Sequence, residues 1–245
     1  MIWSAYDVNR TMTNGQTAEL IALFAKKVSL DMPESVAQRW IENPAKFAGV
    51  IDGALMPPAV VSSDTSSVIA DWQDFYQKFF GLAVDLSGVR VPEGLERTVY
   101  IAMGISINAA VKAHRDRNIP FWKYCDGDLE SVIQKSERGP VAASYAIRVK
   151  SGQEADEDLK NRSAEMIAEQ NINTEDLLER LVHGLKYYDE TGKHLDVKNV
   201  TLCASSRYSG GLVPRVRRYD DGRVSVYWCR PQDRHDDLRA RRAVR

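Results

Sequence analysis

The residues best suited to chemistry lie near the C-terminus, in RVRRYDDGRVSVYWCRP, residues 215–231. Arginine and tyrosine alternate there with valine on either side of a DDG turn signal, the pattern of a hairpin. The guanidinium fork matches a phosphate in a bidentate way, and a tyrosine ring offers a flat stacking surface. Whether these groups gather on one face depends on strand register. A two-residue loop at Asp221-Gly222 puts Arg217 on a face with Val226 and Arg215 with Trp228, mixing charge into the apolar side. A three-residue loop, Asp220 to Gly222, pairs Tyr219 with Arg223 and gives Gly222 the left-handed position. One face then carries Val216, Val224, Val226 and Trp228, with Arg218 out of place. The other carries Arg215, Arg217, Tyr219, Arg223, Ser225 and Tyr227. Burial of one face selects the second register. Phosphate contacts are then expected from Arg207, Arg215, Arg217 and Arg223, and stacking from Tyr219 and Tyr227. The competing expectation is an ordinary solvated strand, with arginine stems over tyrosine rings and charges paired to acidic helices.

Other groupings are weaker. KHLDVKNVTLCASSRYSGG, residues 193–211, holds His194, Asp196, Cys203, Ser205, Ser206 and Ser209, the types needed for a base, an orienting acid and a nucleophile. It lacks a G-x-S-x-G elbow, and turn chemistry explains the same residues. Cys203, Cys229 and His235 could approach one another, yet without C-x-x-C or H-x-x-x-H spacing they imply no metal site. Gly104 before a helix start at Ser106 could offer backbone N–H groups to an anion, but no G-x-G-x-x-G or G-K-[ST] accompanies it. No cofactor is expected. Glu154, Asp156, Glu157 and Asp158 read as acids at a helix start.

The elements that must position these residues follow from periodicity. Leu20, Ile21, Phe24 and Val28, then Val36, Trp40 and Ile41, predict a helical region over residues 1–62. MPPAVVSSDTSS, residues 56–67, reads as a connection, so a main domain is expected over 63–245. Val68, Trp72, Phe75 and Phe79 stripe a helix ending near Gly81. TVYIAMG, SINAAVKAHRD, IPFWKY, DGDLESVIQK and ASYAIRVK then alternate strand and helix. EADEDLKNRSAEMIAEQ and NTEDLLERLVHGLKYYDETGK predict two helices, the second striped by Leu177, Leu178, Leu181, Leu185 and Tyr188 and ended by Gly192. NVTLCAS predicts a strand before the hairpin. The expected class is α/β or α+β: a mixed sheet of about five to six strands flanked by helices, closed by the C-terminal antiparallel hairpin.

Composition sets the limits. With 245 residues, 44% apolar and 27% charged, the chain is that of a globular protein. The net charge of −1 excludes a generally basic coat. Residues 151–190 hold eleven acids against four bases, net −7, whereas residues 207–245 hold eleven arginines against five aspartates, net +6. Three widely spaced cysteines imply no disulfide framework and a reducing compartment. With no signal-peptide pattern and no long apolar run, a cytoplasmic location and no membrane contact are expected.

From about Asp71 onward, the stretches FFGLAVDLSGVRVPE, EADEDLKNRSA, ETGKHLDVKNVTLCASSRYSGG and VYWCRPQDRHDDLRARRAV resemble an uncharacterised protein family of environmental candidate-phylum bacteria. The resemblance stops near residues 60–70, which supports a boundary there, and it implies no catalytic residues. The expected function is therefore a non-enzymatic binding protein contacting nucleic acid or another polyanion. Two alternatives stand beside it: a protein–protein or self-assembling module, with a homo-oligomer as its product, and a small hydrolase using His194 and the Cys203–Ser209 segment.

Overall fold

The helix striped by Leu177, Leu181 and Leu185 buries that stripe in the principal core of the described residues. In a computed structural model that describes residues 65–125, 127–136 and 141–245, with Gln38 and Glu42, this helix spans Leu177–Thr191. In chain order the elements are α1 (Thr65–Phe80), β1 (Arg97–Ile101), α2 (Ile107–Asp116), β2 (Phe121–Lys123), α3 (Leu129–Val132), β3 (Ile133–Ser136) and β4 (Tyr145–Val149). A 3-10 turn (Glu157–Leu159), α4 (Ala164–Glu169), α5 (Leu177–Thr191), β5 (Val200–Leu202), β6 (Ser206–Tyr208), β7 (Val213–Arg218), β8 (Val224–Cys229) and β9 (Leu238–Arg239) complete it. The helices expected within residues 1–62 lie outside the described residues.

The fold is mixed α+β. The main sheet has five strands in the order β2-β8-β7-β5-β9, and two two-stranded antiparallel sheets, β1-β4 and β3-β6, flank it. One face of the main sheet presents Val216, Val224 and Val226 to the principal core. Leu177, Leu181 and Leu185 of α5, Ala110 and Ala113 of α2, and the aromatic stripe of α1 fill the same core. Trp72, Phe75 and Phe79 pack ring on ring, with centroids 5.3 and 4.8 Å apart. The Tyr76 phenol donates to the Tyr100 carbonyl and accepts from the Ala102 N–H, tying α1 to the end of β1. Apolar burial of this kind stabilises by about 2 kcal/mol per large side chain.

A smaller core lies on the opposite face of the sheet: Leu159, Ile167, Val200, Leu202, Val213, Cys229 and Leu238. It spans β5 and β9 and the Val213–Cys229 end of the hairpin, with Tyr227 packed against it.

Several elements differ from their sequence reading, each for a local reason. The α5 helix starts at Leu177, not Asn173, because Asp176 is its cap. The Asp176 carboxylate accepts from the Glu179 N–H, and the Glu179 carboxylate accepts from the Asp176 N–H, a full capping box. DGDLESVIQK gives a single turn of helix and then strand β3. Residues 154–170 form no continuous helix. Their acids brace other segments instead: Glu154 accepts from Lys198 N and Asn199 N, Asp156 from Arg242 N, and Glu157 and Asp158 pair with Arg239 and Arg242.

Candidate functional site

The hairpin adopts the bulged register. Arg215 lies opposite Tyr227, Val216 opposite Val226, Arg217 opposite Ser225 and Arg218 opposite Val224. Tyr219 N–H donates to the Arg223 carbonyl, and Gly222 N–H closes the loop on the Tyr219 carbonyl. Gly222 takes φ +86°, a conformation that costs an L side chain strain. Val216 and Val226 are fully buried, so Arg215, Arg217, Tyr219, Arg223 and Tyr227 share the opposite face, all half-buried. Ser225, expected on that face in solvent, is only 1% exposed, and its hydroxyl has no partner. Its neighbours in register are Trp122 on β2 and Arg217 on β7.

On this face the guanidinium groups lie over the phenol rings. Arg215 is 4.1 Å from the Tyr227 centroid, and Arg217 and Arg223 are 5.0 and 4.8 Å from that of Tyr219. The rings hold the cations in place. Burial pushes the Tyr227 phenol up, against the pull of Arg215. Arg207 stands on β6, beside the hairpin, with Nη1 donating to the Ala204 and Ser206 carbonyls at 2.6 and 2.8 Å. Both Arg207 and Arg215 act on the buried Cys229 thiol, which burial nevertheless pushes up to about 11.

Seven arginines of the last forty residues fall into two sets. In the tail, Arg239 pairs with Glu157, Arg242 with Asp158, Arg245 with Glu179, and fully buried Arg241 with Asp196 at 2.7 Å. These satisfy carboxylates of the acidic central segment and of the core. The hairpin set does not. Among the described residues Arg215 makes no ion pair, Arg217 reaches Asp237 only at 3.8 Å, and Arg223 reaches Asp221 of its own turn at 3.6 Å. Both contacts are in solvent, where such pairs contribute little. No family model matches the chain, and neither does any curated protein or solved structure. The geometry of this chain is therefore the basis for its function.

Sequence reading missed part of the same face. The edge strand β2 runs parallel to β8, with Phe121 beside Val224 and Trp122 beside Ser225. Phe121 packs on the principal core, so Trp122 points to the arginine side. Tyr124 follows two residues on, its ring 5.4 Å from that of Trp122. Trp122 is 42% exposed and Tyr124 66%, against half-buried Tyr219 and Tyr227. The Trp228 indole N–H donates to the Tyr124 carbonyl at 2.9 Å and fixes the end of β2 against the hairpin.

The other groupings serve the fold. His194 stacks on Tyr188 at 4.7 Å, and burial, then Arg218 and Arg180, hold its pKa down to about 4. Among the described residues it bonds to none of Cys203, Ser205, Ser206 or Ser209. Asp196 is occupied by Arg180 and Arg241. Cys203 is wholly buried, which keeps its thiol protonated. Ser205 Oγ donates to the Thr174 carbonyl, and Ser206 Oγ accepts from the Leu177 N–H at the start of α5. Cys203 and Cys229 belong to different cores, and no cluster of metal-ligating side chains occurs among the described residues. The Gly104 N–H donates to the Val141 carbonyl, and Ser106 caps α2 by accepting from Ala109 N. A cavity of about 250 Å³ opens between the N-termini of α2 and α5, where Asp176 is already bonded to Ser136 and to Glu179 N. No helix among the described residues is long and apolar enough to cross a membrane.

Proposed function

We propose that this protein is a non-enzymatic binding protein whose hairpin face contacts nucleic acid or another polyanion. The observation that carries this reading is the division among its arginines. Those of the tail neutralise carboxylates within the fold; Arg215, Arg217 and Arg223 lie together on one open face with weak acidic partners or none. Tyr219 and Tyr227 underlie them, so the guanidinium groups are ordered before any ligand arrives, which reduces the entropy lost on binding. Arg207 stands at the margin of the face with its Nη1 donating to carbonyls and contributes charge there.

The test is retention of labelled single-stranded DNA, RNA and heparin across a salt series. Retention that weakens linearly in log salt supports the reading, and Arg215→Ala plus Arg217→Ala lowers the slope by about 1 for each phosphate contact removed. Absence of retention on all three polyanions at low salt overturns it. Salt-insensitive self-association in place of retention supports an assembly module instead.

A further inference from the structure

We infer that the polyanion is a single-stranded nucleic acid, and that Trp122 on the edge strand β2 and Tyr124 just after it take its bases while the hairpin arginines take its phosphates. This rests on the polyanion reading above and goes beyond it by naming the ligand class and a second group of contact residues.

The inference comes from the order of the strands. β2, β8 and β7 are consecutive in the main sheet, and residues in register point to the same side. Trp122, Ser225 and Arg217 therefore form one row across three strands, about 10 Å from end to end at ordinary strand spacing. Tyr227 and Arg215 are paired in the next row, and Tyr124, one residue past the end of β2, lies beside it with its N–H donating to the Val226 carbonyl. In the Trp122 row an exposed aromatic stands at the sheet edge and a guanidinium two strands away, and exposed Tyr124 follows at the same edge. The phenol rings on the hairpin are already covered by Arg215, Arg217 and Arg223, so the ring faces open to a ligand are those of Trp122 and Tyr124.

That division matches the two halves of an unpaired nucleotide. An unpaired base presents an apolar ring face, and its backbone a phosphate, within one residue. A duplex keeps its bases stacked on each other and presents only phosphate to a flat surface. A polyphosphate or sulfated glycan would use the arginines and leave two large exposed aromatics without a role. The occupant that uses both halves of the surface is a single strand.

The experiment compares three ligands of equal length with the full chain: oligo(dT), the same deoxyribose–phosphate chain without bases, and a blunt DNA duplex. Affinities are read by anisotropy at fixed low salt. Oligo(dT) is expected to bind about tenfold or more tighter than the abasic chain, the effect of one stacked base. Trp122→Ala plus Tyr124→Ala is expected to remove that difference while leaving abasic binding and its salt slope unchanged. Both side chains are exposed, so the variant keeps its fold, checked by circular dichroism. Equal affinity for oligo(dT) and the abasic chain, with no effect of the double variant, overturns this inference and leaves the polyanion reading standing. Preference for the duplex overturns it likewise. Failure of all three ligands to bind, with heparin also unretained, overturns both.

Discussion

At the scale of single residues, the buried ion network is the most sensitive point in the fold. Asp196, fully buried and at φ +57°, accepts from Arg180 at 2.5 Å and Arg241 at 2.7 Å, and the Thr201 hydroxyl donates to it as well. Burial raises its pKa, but the two guanidinium groups outweigh this and hold it at about 2. Asp196→Asn leaves two buried cations with one neutral partner and is expected to cost about 3–5 kcal/mol. A denaturation midpoint equal to that of the parent chain would contradict this role. The same network explains why the basic end of the sequence was ambiguous. Arginine content gave no means of separating Arg241, in the core, from Arg215, on the open face; only their partners distinguish them. Trp122 and Tyr124 escaped notice for a different reason. A three-residue strand is too short for alternation to reveal which side is buried.

At the scale of elements, the hairpin was legible because two constraints agree. Burial of Val216, Val224 and Val226 fixes one face, and Gly222 supplies the left-handed residue that a three-residue loop needs. A Cβ at Gly222 meets only the end of the Arg218 side chain, at 3.4 Å, so the cost of substitution is mainly backbone strain. Gly222→Ala is expected to lose about 1 kcal/mol, a fall in Tm of about 2–4 °C, with Gly222→Asn losing less. An unchanged Tm for both would show that the turn does not hold the face in register. The acidic stretch 154–170 was misread as helix because its charges are helix-compatible. Their backbone N–H partners, contributed by segments some forty and eighty residues away, decide the conformation instead.

At the scale of the whole molecule, strand order was the part hidden in the sequence. β2 joins β8 across about one hundred residues, and alternation of strand and helix along the chain gives no hint of that pairing. The buried histidines give the molecule a definite response to acid. Burial first, with nearby arginines, holds His114 and His183 down to about 4, below the ordinary 6.5; His183 stays neutral and shares its Nδ1 proton with Glu175 at 2.7 Å. The unfolded chain therefore takes up protons before the folded one. Their contribution is complete above pH 6.5 and is lost as pH falls from there towards 4, at up to about 1.4 kcal/mol per pH unit for each. Asp156 and Asp176, raised by burial, act with the opposite sign at the acid end. Urea midpoints at pH 7 and pH 5 test this: a lower midpoint at pH 5 is expected, and equal midpoints would refute it.

The strand Leu238–Arg239 forms one edge of the main sheet, and the residues after it run on to β4, with Ala240 and Ala243 buried, Arg242 bridged to Thr174 and Val244 bridged to Arg148. During translation these residues leave the ribosome after every other element of the unit has been made. Until Arg241 arrives to meet Asp196, the elements made before it stand with that buried carboxylate only partly neutralised, a state more open to misassociation than the finished unit.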